Sequence, residues 1–150
     1  MALYFSYGSC MCERDIKRDV KGARFVGPAT LFDYRLGFTR WSDKRKGGVA
    51  DIVPATGDKV EGILFEVSDF EGLDRREGHP IAYKRCQVNV LPLGQEDCVE
   101  VTTYAVVDKS DQDILPSKEY MEIILDGAKQ LSEGYQIKLK KRFEQIMKSV

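Results

Sequence analysis

Ile81-Ala82-Tyr83-Lys84-Arg85-Cys86-Gln87-Val88-Asn89-Val90 puts Ala82, Cys86, Val88 and Val90 on one parity, the two-residue period of a strand with one covered face. Beyond a turn at Gly94, Cys98 to Val107 is strand-like again, and so short a connection makes the two segments antiparallel neighbours. Strands joined by turns rather than by crossover helices build an antiparallel sheet. Cys86 and Cys98 are expected to be small buried hydrophobes, since neither a CxxC pair nor a histidine cluster accompanies them.

Downstream the period changes. Pro116-Ser117 opens a helix with Tyr120, Ile123, Ile124, Ala128 and Leu131 on one face, and Gly134 is expected to end it. A second helix follows, with Leu139, Phe143, Ile146, Met147 and Val150 apolar, and with Lys138, Lys140, Lys141 and Arg142 forming a solvated basic side.

Upstream, Val49 to Val53 and Val60 to Val67 read as two strands of a hairpin around Pro54-Ala55-Thr56-Gly57-Asp58. Ala23 to Trp41 is extended, broken at Gly27-Pro28 and turning near Asp33 to Gly37, so it supplies one or two strands. Ser42 to Gly48 is a polar connection carrying the adjacent cations Lys44, Arg45 and Lys46. It reads as a solvated loop that is also able to meet an anionic partner. Leu3 to Tyr7 is an aromatic first strand, Gly8-Ser9 a tight bend, and Cys12 to Asp19 a short polar helix. Five to seven strands followed by helices, without βαβ alternation, predict one α+β domain over residues 1–150: a small, mostly antiparallel, curled or closed sheet with flanking helices.

The balance of 23 basic and 24 acidic residues provides no global field for nucleic acid or an anionic membrane, so neither is expected as a partner. The cysteine spacing suggests no disulfide framework. Leu3 to Tyr7 is too short for a signal segment, and no apolar run approaches a membrane span, which together predict a soluble cytoplasmic protein. A monomer or homodimer acting on a small molecule fits these bounds.

The chemistry is expected at Glu77, in Leu73-Asp74-Arg75-Arg76-Glu77-Gly78-His79-Pro80. Ser68 to Glu71 has capping-box spacing and Gly78 is a left-handed stop, so a short helix would hold Glu77 at its C-terminal corner. The helix dipole and lost hydration there raise a carboxyl toward the range of a general base, while Arg75 and Arg76 pull it back. The strand, bend and helix start around Gly8-Ser9 form an anion pocket.

Tyr4-Phe5-Ser6-Tyr7-Gly8-Ser9, Leu73-Asp74 with Glu77-Gly78, Tyr83, Tyr104, and Pro116-Ser117 with Tyr120 and Gly127-Ala128 stand in the order and spacing of a known family. The chain resembles the γ-glutamylcyclotransferases and their AIG2-like relatives over nearly its whole length. The resemblance implies a small β-barrel with flanking helices and a cyclising acyl transfer that releases 5-oxoproline from a γ-glutamyl amine or amino acid. It makes Glu77 the general acid and base. Tyr7, Gly8 and Ser9 would build the pocket for the glutamyl end, with Cys10 in the place where the family has Asn, and Tyr83, Tyr104 and Tyr120 would line it. The reaction requires no metal, nucleotide or redox cofactor. Two other readings stay open from sequence: a non-catalytic pocket for a small acidic ligand, and a thiol nucleophile at Cys10 or Cys12 with His79 as base. The acid–base reading places Tyr7 to Ser9 and Glu77 in one cavity.

Overall fold

The computed structural model describes residues 1–148. Five strands, β1 (Ala2–Ser6), β2 (Arg24–Ser42), β3 (Gly47–Val67), β4 (Tyr83–Pro92) and β5 (Val99–Val106), close into a barrel in the order β1-β3-β2-β4-β5. Every pairing is antiparallel except β1 with β5, which meet in parallel at Tyr4 and Thr102. The Thr103 hydroxyl reinforces that seam by donating to the Phe5 carbonyl at 2.7 Å. Four helices flank the barrel: α1 (Glu13–Ile16), α2 (Glu71–Glu77), α3 (Lys118–Gly127) and α4 (Glu133–Lys148). Phe5, Phe65, Ile63 and Val90 are fully buried, and α4 adds Tyr135, Leu139 and Phe143 to the core, with Phe143 against Phe38 at 5.7 Å between ring centroids. Each such side chain contributes about 1.5–3 kcal/mol by leaving water.

The central ribbon departs from the sequence expectation. Val49 to Val53 and Val60 to Val67 are not the arms of a hairpin; they are two halves of β3, both paired to β2. Tyr34 pairs with Pro54 and Phe32 with Lys59, so residues 55–58 bulge out opposite Asp33 alone. Asp33 takes a left-handed φ of 65°, and its carboxylate accepts from the Gly57 N–H at 2.9 Å. The expected turn at Asp33 to Gly37 and the expected hairpin at Pro54 to Asp58 are therefore the two sides of one bulge. Bulges and hairpins draw on the same residue types.

Smaller corrections have local causes. Helix α3 ends at Gly127 and passes through a 3-10 turn (Ala128–Gln130), while Gly134 lies in the first turn of α4. Ser117 caps α3 as expected, its hydroxyl accepting from the Tyr120 N–H. Helix α2 begins at Glu71, and the Asp69 carboxylate, not Ser68, accepts from the Glu71 N–H. Cys86 is half-buried, but Cys98 is exposed at the rim where β5 begins. Met147 is exposed, and Val150 lies outside the described residues. Among the described residues no helix is long and apolar enough to cross a membrane.

One buried carboxylate organises the ribbon. Asp51 is fully buried; one oxygen accepts from the Val106 and Ile52 N–H groups, the other from Thr39 Oγ1 at 2.7 Å and Lys109 Nζ at 2.8 Å. It pins β3 to β5 one residue from Ala50, which serves the cavity described next.

Candidate active site

Helix α2 delivers Glu77 because it stops there. Gly78 adopts φ 66°, and the His79 N–H closes the end on the Asp74 carbonyl at 2.9 Å. Gly72 packs this helix on the chain beyond α1; a Cβ at that position would lie 2.0 Å from the Asp19 carbonyl oxygen. Across the same contact Arg76 donates to Asp19 Oδ2 at 3.0 Å and to Ser9 Oγ at 3.1 Å, with its Nε 3.7 Å from Glu77 Oε1. One guanidinium thus ties the bend after β1 to the carboxyl of α2. Arg75 points elsewhere, pairing with Glu71 on the surface, so of the two cations flagged in the sequence only Arg76 faces Glu77.

A tight cavity of about 40 Å³ lies between β1, the bend that follows it and the end of α2. Tyr7, Gly8, Ser9 and Cys10 form one side and Glu77 another, with Tyr83, Tyr104 and Tyr120 between them, so all eight residues singled out from the sequence meet here. The cavity opens into an outer cleft of about 370 Å³ that shares Ser9, Glu77, Tyr83 and Tyr120 with it, placing Glu77 at the junction.

The tyrosines divide by what their protons do. Tyr7 donates to the Tyr104 carbonyl at 2.6 Å, Tyr83 to the Ala50 carbonyl, and Tyr104 to Asp74 at 2.6 Å. These three are braces with committed protons, and burial holds their phenols well above the ordinary range. Tyr120 differs: its hydroxyl accepts from the Ala50 N–H at 2.9 Å and also reaches Ser9, so it keeps donor capacity inside the cavity.

Burial pushes the Glu77 carboxyl up from the usual carboxylate range. Arg76 opposes this, Asp19 adds to it and Arg45 opposes it again. Burial also pushes the Cys10 thiol up to about 12 and raises Cys12, the reverse of what a thiolate nucleophile requires. His79 Nδ1 accepts from the Arg85 N–H and its ring edges onto Tyr104, so it is occupied by β4 rather than by either thiol. Among the described residues no cluster of His, Cys, Asp and Glu has the grouping of a metal site.

Residues 59–139 match the model of the AIG2-like family. Human gamma-glutamylcyclotransferase is 31% identical over 146 residues, which cover 92% of this chain and 77% of that protein. The chain belongs to this family. The mouse gamma-glutamylcyclotransferase is 30% identical over the same 146-residue length. A solved structure described as gamma-glutamyl cyclotransferase superposes with a TM-score of 0.84 at 28% identity, covering 99% of both chains. Family membership makes the chain a γ-glutamylcyclotransferase-like enzyme on the expected barrel with flanking helices.

Three cavity residues are not among the site residues singled out from the sequence: Tyr4, Ser6 and Ala50. Tyr4 and Ser6 reach it from β1, and Tyr4 packs edge-on to Tyr104 at 5.9 Å. They alternate with Phe5, so strand parity was the available clue. Ala50 binds two tyrosines through its backbone N–H and C=O, which no side-chain pattern reveals.

Proposed function

We propose that the enzyme releases 5-oxoproline from a small γ-glutamyl amine or γ-glutamyl amino acid, with Glu77 as the proton shuttle. The observation that carries this reading is the Glu77 carboxyl, its side chain only 19% exposed and its pKa raised by lost hydration, lining the same cavity as the Gly8-Ser9 bend at the junction of cavity and cleft. The substrate contains its own nucleophile. Its α-amine attacks its γ-carbonyl carbon, a C–N bond closes the five-membered ring, and the C–N bond to the departing amine breaks. No water is consumed.

The protein's task is to fold the glutamyl chain and move one proton. Orientation of this kind is worth roughly 7–11 kcal/mol. Glu77 takes the ammonium proton and hands it to the leaving nitrogen, so a single carboxyl serves as base and then acid. The Gly8-Ser9 backbone, Ser9 and Tyr120 offer donors for the negative charge at the glutamyl end or on the developing oxyanion.

The reading predicts a pH profile. Glu77 must start ionised, so kcat/KM falls as pH drops through its pKa, and burial sets that limb above the ordinary carboxylate range. Arg76 lowers the pKa, so Arg76→Gln moves the limb to higher pH, whereas Arg76→Lys, which keeps the charge, moves it less. A profile unchanged in Arg76→Gln contradicts the assignment. The reading as a whole is tested by incubating the purified enzyme with γ-glutamyl amides and following products. Equal amounts of 5-oxoproline and free amine support it; ligand binding without either product refutes it.

A further inference from the structure

The cation-rich connection between β2 and β3 lies over this cleft. Ser42 Oγ accepts from the Arg45 N–H at 3.2 Å and fixes the turn. The acid of the connection, Asp43, accepts from Trp41 Nε1 at 2.9 Å and is thereby occupied by the indole. Arg45 lies half-buried over Tyr120, its Cζ 5.5 Å from the ring centroid. Arg40, from the end of β2, lines the same cleft and acts on the Tyr83 phenol.

The other arginines of the cleft are committed, Arg75 to Glu71 and Arg76 to Asp19. Among the described residues neither Arg40 nor Arg45 forms an ion pair, although 24 acidic residues are available in the chain. Arg45 is near enough to lower the Glu77 pKa, yet no carboxylate holds it in an ion pair, so this guanidinium on an aromatic face is positioned for a further counterion that arrives from outside. Resting on the cyclisation reading, the geometry fixes which part of the substrate meets these cations. The glutamyl end lies toward the Gly8-Ser9 bend and the scissile bond lies beside Glu77, so the amine side projects into the outer cleft.

We infer that Arg40 and Arg45 form a subsite for an anionic leaving group, so that the preferred γ-glutamyl substrate carries an acidic amino acid on its amine side. Lys44, on the same rim, adds attraction without fixed geometry. Uncharged amines gain nothing from this rim, and polyamine cations are repelled by it.

The experiment compares kcat/KM for four amides: γ-glutamyl-glutamate, γ-glutamyl-alanine, γ-glutamyl-methylamide and γ-glutamyl-cadaverine, at low and high salt. The expected order is glutamate, alanine, methylamide, cadaverine, with glutamate over methylamide on the order of 10- to 100-fold. That ratio shrinks as salt screens the rim. In the Arg40→Gln, Arg45→Gln double variant it falls toward one, chiefly through KM of the acidic substrate. Four substrates turned over at similar rates by the wild type, or a ratio that survives in the double variant, overturns the subsite while leaving cyclisation intact. Absence of 5-oxoproline from all four overturns the cyclisation reading and this inference with it.

Discussion

Glu77→Gln is expected to lower kcat by about 100- to 10,000-fold, the usual share of a positioned acid–base group, while affinity for a γ-glutamyl ligand stays close to wild type. Gln keeps the shape and the capacity to hydrogen-bond. It cannot take the ammonium proton or return it to the departing nitrogen. The Arg76 contacts to Asp19 and Ser9 do not involve Glu77, so the bend and the helix end should stay where they are. Glu77→Asp separates position from chemistry: shortening the side chain withdraws the carboxyl by about 1.5 Å, and a misplacement of about 1 Å costs on the order of 100-fold. The order of kcat is therefore Glu, then Asp, then Gln, measured alongside calorimetric binding of a non-cleavable analogue. Equal rates for wild type and Glu77→Gln would remove Glu77 from the proton path.

Asp51→Ala carries the largest expected effect on stability, about 3 kcal/mol. The figure sits at the low end for a broken buried ion pair because the Lys109 side chain is 33% exposed and can turn to water. Thr39 and the Val106 N–H cannot, and each buried donor left without an acceptor costs about 1–3 kcal/mol. Asp51→Asn keeps one acceptor oxygen and should lose less. Urea denaturation of both variants checks this, and a loss under about 1 kcal/mol in Asp51→Ala would mean that β3 and β5 are held by other contacts. Because Ala50 adjoins Asp51 and braces Tyr83 and Tyr120, turnover in Asp51→Ala should fall even at temperatures where the fold persists.

What the sequence disclosed follows from the range of the forces involved. Strand β1 declares itself through its aromatic residues, β4 through alternation, β5 through its place beyond the Gly94 turn, and the start of α3 through Pro116-Ser117, all within a few residues. The β2–β3 ribbon does not. Whether Pro54 to Asp58 turns the chain back or bulges out of it depends on Asp33, some twenty residues away, accepting from Gly57. Gly134 looked like a helix stop because glycine ends helices more often than it begins them, yet Ser132 supplies a cap by accepting from the Tyr135 N–H. At the cavity, Glu77, the Gly8-Ser9 bend and the tyrosines were legible through motif order. Arg45 was not, since only the closed barrel sets a loop cation over Tyr120. The thiol alternative, Cys10 or Cys12 with His79 as base, loses support because burial raises both thiols and His79 is engaged by the Arg85 N–H of β4.

The central claim is that the substrate's own amine is the nucleophile, and isotopic labelling tests it most directly. The enzyme is given a γ-glutamyl amide labelled with ¹⁵N at the α-amine, in H₂¹⁸O, and the products are read by mass spectrometry. The account predicts 5-oxoproline that retains ¹⁵N and carries no ¹⁸O from the solvent. Glutamate bearing ¹⁸O at the γ-carboxyl would show that water attacks the carbonyl, and would contradict it.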